Sequence, residues 1–175
     1  MRKTLILPWT EDWASLYISE ERILKEIFND KIVGIFHIGS TSISAIGFAK
    51  PIIDILIVVK DIEIVDSFNA KLREIGYEPR GENGIKGRKY FPKGREKRTH
   101  HVHIYQVGHV NIKKHLDFKA YLMAHPEEAA SYGDLKRRLA KKFPDDHYKY
   151  QEEKQVFVDE LVKKASEWSL KSKEG

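Results

Sequence analysis

The sequence predicts an α+β fold in which a mixed β-sheet is followed by a helical C-terminal segment. Three observations predict it. Pro51 to Val59 is an almost unbroken Ile/Val run, the signature of a strand covered on both faces and central in its sheet. The stretch HHVHIYQV alternates polar and apolar side chains with period two, the pattern of a second strand. From about Asn111 the pattern becomes helical to the end, with Pro126 as a first-turn proline and a further segment after Pro144 to about Trp168.

The elements follow in order. Thr10 is placed to cap a helix whose first turn carries Glu11 and Asp12, both favourable at a positive helix end, and Trp13, Leu16, Ile23, Leu24, Ile27 and Phe28 supply its apolar stripe. Ile32 to His37 is short and β-branched, a strand that ends just before Gly39-Ser40. Asp61 reads as the cap of a helix stepping through Ile62, Val65, Phe68, Leu72 and Ile75, and Gly76 stops it. Tyr77 to Arg80, the turn GENGIKG and Arg88 to Phe91 read as a hairpin. In the strand that follows, His101, His103 and Tyr105 share one face, while His100, Val102 and Ile104 take the other.

A chain of 175 residues fits one domain, 1–175, with its sheet core over about 30–108 and its helical tail over about 111–168. The absence of cysteine removes disulfides and thiolate metal sites and leaves His, Asp and Glu as side-chain ligands. MRKTLILPWTEDW does not read as a secretory signal, and no run approaches the ~20 apolar residues of a membrane span, so the expectation is a cytoplasmic protein without a membrane partner. The formal net charge is +5, yet Lys86 to Arg98 alone holds seven Lys/Arg against the single acid Glu96. That density is either a solvated hairpin or a rim that attracts phosphate, from a nucleotide or a nucleic-acid backbone.

The residues that could carry chemistry begin with Asp54. A carboxylate inside an apolar strand is expensive unless it has a partner or binds a charged group. Ahead of it, Gly39, Ser40 and Thr41 form a small-residue turn suited to phosphate, since glycine admits a close approach and hydroxyl and N–H groups bind the oxygens. His101 and His103 at i and i+2 can grip one divalent metal with Asp54 as third ligand, or contact phosphate directly. Arg88 is a candidate fork for phosphate, Glu82 a group to position it, and Lys50 a neutralising cation beside Asp54. Tyr132, Lys136 and Arg137 read as a solvated basic helix face.

The order strand, Gly-Ser, spacer, strand carboxylate resembles the nucleotidyltransferase superfamily of the DNA polymerase β type. HIGSTSISAIGFAKPIIDI, GENGIKGRKYF, RTHHVHIY and HLDFKAYLMAHPEEAASYGDLKRRLA together resemble the GrpB family, from about Leu7 to Trp168. The resemblance implies a nucleotidyltransferase-like fold that binds a nucleotide or another phosphate-bearing ligand. Asp54 would then be the catalytic carboxylate, Gly39, Ser40, Thr41, Lys50 and Arg88 the phosphate contacts, and Asp54, His101 and His103 the ligands of Mg²⁺, Mn²⁺ or Zn²⁺. Phosphoryl or nucleotidyl transfer would be the chemistry. Two departures stand against the usual two-metal clamp. Leu56 occupies the place of the second acid on the strand, and histidines stand where a third acid is expected, a donor set that favours Zn²⁺ or Mn²⁺ over Mg²⁺. Two alternatives stay open: a non-catalytic module whose basic hairpin binds RNA or an acidic partner, and a metal-dependent hydrolase on the two-His, one-carboxylate set.

Overall fold

The computed structural model describes residues 3–174. In chain order the elements are β1 (Leu7–Pro8), α1 (Asp12–Phe28), β2 (Ile32–Ile38), β3 (Phe48–Ala49), β4 (Ile53–Val59), α2 (Asn69–Glu74), β5 (Arg88–Lys93), β6 (His100–Gln106), α3 (Val110–Ala124), α4 (Pro126–Lys142) and α5 (His147–Glu174), with short 3₁₀ turns between them. They gather into two compact units. One comprises Glu11–Ile38 with Ile52–Lys113, and the other the residues up to Thr10, Gly39–Pro51 and the chain from Lys114 onward.

The first unit is built on a four-stranded sheet in the order β2-β4-β6-β5. β4 pairs antiparallel with β2 and parallel with β6, which pairs antiparallel with β5, so the sheet is mixed and β4 is interior, as its Ile/Val run predicts. Ile53, Ile55, Ile57, Val59, Val102, Ile104 and Phe91 are buried on the face that α1 covers with Trp13, Leu24 and Phe28. Each fully buried aliphatic side chain there contributes about 1.5–3 kcal/mol.

Three local expectations shift. α1 starts at Asp12 with Glu11 at the cap position, and its buried face includes Glu20, whereas Leu16 and Ile23, at the stripe's margin, stay exposed. Asp61 does cap the next helical segment, its carboxylate accepting from the Glu63 N–H at 3.0 Å. That segment is a 3₁₀ helix over Ile62–Phe68 and an α-helix only over Asn69–Glu74. The β-branched Ile62, Ile64 and Val65 are poor α-formers, and the tighter 3₁₀ turn takes their place. Residues 77–81 run beside β5 through Glu78 N to Pro92 O at 2.9 Å and Arg80 N to Tyr90 O at 3.0 Å without forming a named strand. Pro79 has no N–H to donate to such a ladder.

The second unit joins the two-residue pair β1-β3 to α4, α5 and α3 from Lys114. Its core is Ile43, Ile46, Tyr121, Leu122, Ala129, Tyr132, Leu161 and Ala165, with Phe118, Phe157 and Trp168 packed against it. α4 approaches the 3₁₀ turn Ser44–Ile46 so closely that a Cβ on Gly133 would overlap the carbonyl oxygen of Ile46. Lys136 corrects the expectation of a solvated helix face: it is 3% exposed, its ammonium 4.6 Å from the centre of the Tyr132 ring. Arg137 lies over Phe48 at 4.2 Å. Among the described residues no helix is long and apolar enough to cross a membrane.

Candidate functional site

Strand register assembles the site. On the parallel pair β4-β6, Asp54 stands level with His101 and Leu56 with His103; on β5, Tyr90 stands opposite His103 and Arg88 opposite Tyr105. Alternation along each strand puts Asp54, His101, His103, Tyr90 and Arg88 on one face, the reverse of the α1 face. Sequence reasoning grouped Asp54 with His101 and His103, and the structure brings these three together. The Oδ1 of Asp54 lies 3.2 Å from His103 Nε2 and 3.5 Å from His101 Nδ1.

Asp54 keeps 29% of its side chain exposed, so a ligand can reach it. Burial alone would raise its carboxyl, but the hydrogen bonds of His101 and His103 outweigh that and hold it well below the usual carboxylate range. The acid in the apolar run therefore has its partners on the next strand but one in sequence.

Arg88 is buried, at 7% exposure, and each nitrogen of its guanidinium has a partner in the protein. Nε donates to Glu82 O at 3.2 Å, Nη2 to Asn83 O at 2.9 Å, and Nη1 lies 3.3 Å from His103 Nδ1. The plane also covers the Tyr90 ring at 4.6 Å. The Glu82 carboxylate does not reach Arg88, as the sequence suggested it could: it takes the Gly87 N–H at 2.5 Å, and Arg88 meets only the Glu82 backbone carbonyl.

Tyr90 is the site residue that sequence reasoning missed; Arg98 was counted in the basic segment as a contact for RNA, not beside Asp54. The Tyr90 ring lies 5.4 Å from the His103 ring and 5.6 Å from that of His101. Burial raises its hydroxyl above the ordinary value, Arg98 beside it pulls the other way, and the Asp54 charge adds to the rise. Period-two alternation in β5, which puts Tyr90 on the face of Arg88, was the available signal.

Metal ligation was tested against this geometry. His103 is engaged at both ring nitrogens, and among the described residues no group of three or more His, Asp or Glu side chains is arranged to hold a metal ion. Asp54, His101 and His103 form a close cluster in which one carboxylate oxygen faces both rings.

The remaining phosphate candidates, Gly39, Ser40, Thr41 and Lys50, belong to the helical unit. Gly39 adopts φ 73° and ψ −177°, a backbone that only glycine takes readily. Ser40–Ser42 makes one 3₁₀ turn in which the Ser42 hydroxyl donates to Gly39 O at 2.6 Å. Thr41 is buried, and its carbonyl accepts from Trp9 Nε1 at 2.9 Å. The Lys50 ammonium lies 5.2 Å from the centre of the Tyr150 ring.

A second polar cluster, on the α1 face, was not foreseen. Oε1 of the buried Glu20 accepts from Tyr77 OH at 2.7 Å and Lys93 Nζ at 2.9 Å, and Oε2 lies 3.8 Å from His100 Nε2.

Comparison with known proteins gives the same fold and names a family. The family model described as GrpB protein matches residues 3–164. The chain is 47% identical over 167 residues to the UPF0157 protein YqkA of Bacillus subtilis, a match covering 95% of this chain and 48% of that protein, so it spans about half the length of that relative. It is 34% identical to the Glutamate-rich protein GrpB of Alkalihalophilus pseudofirmus, over 91% of this chain and 94% of the other. Among solved structures, the conserved protein GrpB from Enterococcus faecalis superposes with a TM-score of 0.90 at 40% identity, covering 95% of this chain and 99% of that one. The structure of Cid1 in complex with the UTP analogue UMPNPP superposes with a TM-score of 0.51 at 12% identity, over 77% of this chain and 42% of that one, a likeness of fold alone.

Proposed function

The chain belongs to the GrpB family, and from that premise we propose that it binds a phosphate-bearing ligand, a nucleotide in the first instance, on the Asp54 face of its sheet. The observation that carries the proposal is the partly exposed Asp54 carboxylate, met at Oδ1 by two imidazoles, on a face where Arg98 stands beside Tyr90. A nucleotide offers both halves of that chemistry: ribose hydroxyls that donate to a carboxylate, and phosphate oxygens that accept from arginine. The nucleotidyltransferase-like fold supports the same reading, and Cid1, solved with a UTP analogue, makes UTP the first nucleotide to try. Gly39, Ser40, Thr41 and Lys50 enter the proposal through the order of motifs along the chain.

Nucleotidyl transfer through a two-metal clamp is not part of it, because Leu56 fills the second acid's position. Isothermal titration of UTP, ATP and inorganic phosphate, each with and without Mg²⁺ or Mn²⁺, tests the proposal. Saturable binding of at least one, weakened about tenfold or more by Asp54→Asn or Arg98→Ala, is expected for a lost charge-assisted contact. Absence of binding by all three overturns it. A second reading, RNA held without turnover, is favoured by the exposed Arg95 and Lys97 on the loop between β5 and β6.

A further inference from the structure

We propose that Arg88, by donating to Nδ1 of His103, fixes that ring as the Nε2–H tautomer and keeps the Asp54, His101 and His103 group closed to divalent cations. The assignment follows from which atoms can donate. A guanidinium carries five N–H donors and no acceptor. Its Nη1 lies 3.3 Å from His103 Nδ1, so Nδ1 accepts and the ring proton resides on Nε2. That nitrogen lies 3.2 Å from Asp54 Oδ1, an ionised acceptor. Every link of the chain from Arg88 through His103 to Asp54 then has a donor facing an acceptor.

A metal shared by Asp54 and His103 would need the lone pair of Nε2 at about 2.0–2.1 Å. Supplying it moves the ring proton to Nδ1, where it faces an arginine N–H, donor against donor. Without His103, Asp54 and His101 remain, two ligands where a protein-held catalytic zinc has three.

Arg88 cannot easily swing aside. The carbonyls of Glu82 and Asn83 hold Nε and Nη2, and Tyr90 lies against the guanidinium plane. Those carbonyls are presented by a turn whose glycines, Gly81, Gly84 and Gly87, have φ of 56°, 90° and 85°. Arg88 is thus a positioning residue, and the glycine-rich turn acts on the site through it.

Nothing in this inference depends on which ligand binds, so it and the nucleotide proposal fail separately. Long-range ¹H–¹⁵N correlation on the metal-free full chain reads the tautomer directly, and the expected result is Nε2–H for His103. Zn²⁺ titration of the wild type is expected to leave the His101 and His103 signals in place. In Arg88→Met, which removes the donor, both signals shift together and Zn²⁺ binds at least about tenfold tighter than the wild-type limit, the scale on which an outer-sphere partner changes metal affinity. An Nδ1–H tautomer in the wild type, wild-type Zn²⁺ binding that His103→Ala abolishes, or an unchanged Zn²⁺ affinity in folded Arg88→Met would each overturn the inference. Should Arg88→Met fail to fold, the two wild-type measurements decide it.

Discussion

Glu20 and Lys93, 73 residues apart in sequence, meet as a 2.9 Å ion pair on the face of the sheet that Asp54 does not occupy. Lys93 ends β5, so this carboxylate on α1 holds the start of the basic loop, and His100, which begins β6, lies 3.8 Å from it. Glu20→Ala strands the Lys93 ammonium and the Tyr77 hydroxyl and is expected to cost about 3 kcal/mol in urea unfolding. The pH dependence has a definite sign. Burial pushes the Glu20 carboxyl up, but the hydrogen bonds of Lys93 and Tyr77 hold it below its ordinary value. A depressed carboxyl stabilises fully above its unfolded value of about 4.3 and loses that contribution as pH falls through the folded value. Wild type is therefore expected to lose more stability than Glu20→Gln on acidification; parallel curves would remove Glu20 from the account.

Gly133→Ala inverts a familiar rule. In a helix the exchange normally stabilises by about 1 kcal/mol. In α4 the added methyl would meet the carbonyl of Ile46, a backbone group that cannot turn away. A loss of about 3 kcal/mol is expected, at the upper end of overpacking. Thermal unfolding of the variant checks the sign.

Leu56→Asp restores the pattern of paired strand acids and is expected not to restore a nucleotidyltransferase. Leu56 is completely buried, so a new carboxylate there is an unpaired charge with a cost on the order of 3–5 kcal/mol. The expected outcome is a large drop in melting temperature and no Mg²⁺-dependent transfer from UTP. A stable variant with transfer activity would show that the second acid had merely been lost.

The RNA reading makes a prediction that the nucleotide reading does not. Arg95 and Lys97 are exposed on the loop, which closes through Lys97 N to Gly94 O at 2.9 Å and Arg98 Nε to Arg95 O at 2.6 Å. If they meet a phosphate backbone, replacing both with alanine lowers the slope of log affinity against log salt by about 1.4. Asp54→Asn leaves that slope unchanged. Filter binding of a single-stranded RNA across a salt series separates the two.

The sheet was legible where one residue's period decides its neighbours. The Ile/Val run marked β4 as interior, and the HHVHIY alternation set His101 and His103 on one face with His100 on the other. Glu20 was not legible: it occupies a core position in an amphipathic helix, and its partners Lys93 and His100 lie on strands far along the chain, which no local period records. Arg88 stood out in the sequence as a fork for phosphate, but the carbonyls that engage it come from the conformation of the Glu82–Gly87 turn, which composition does not specify. Lys136 misled because charge on a helix reads as solvation, whereas this ammonium is buried against the Tyr132 ring.

The division of the chain also bears on its synthesis. All four strands of the sheet are translated by Gln106, ahead of the three long helices that follow. Gly39–Pro51 emerges between two strands of the sheet, yet its own core partners, Tyr121, Tyr132 and Leu161, are translated long after it. Until those helices are made, Ile43 and Ile46 have no core of their own to enter.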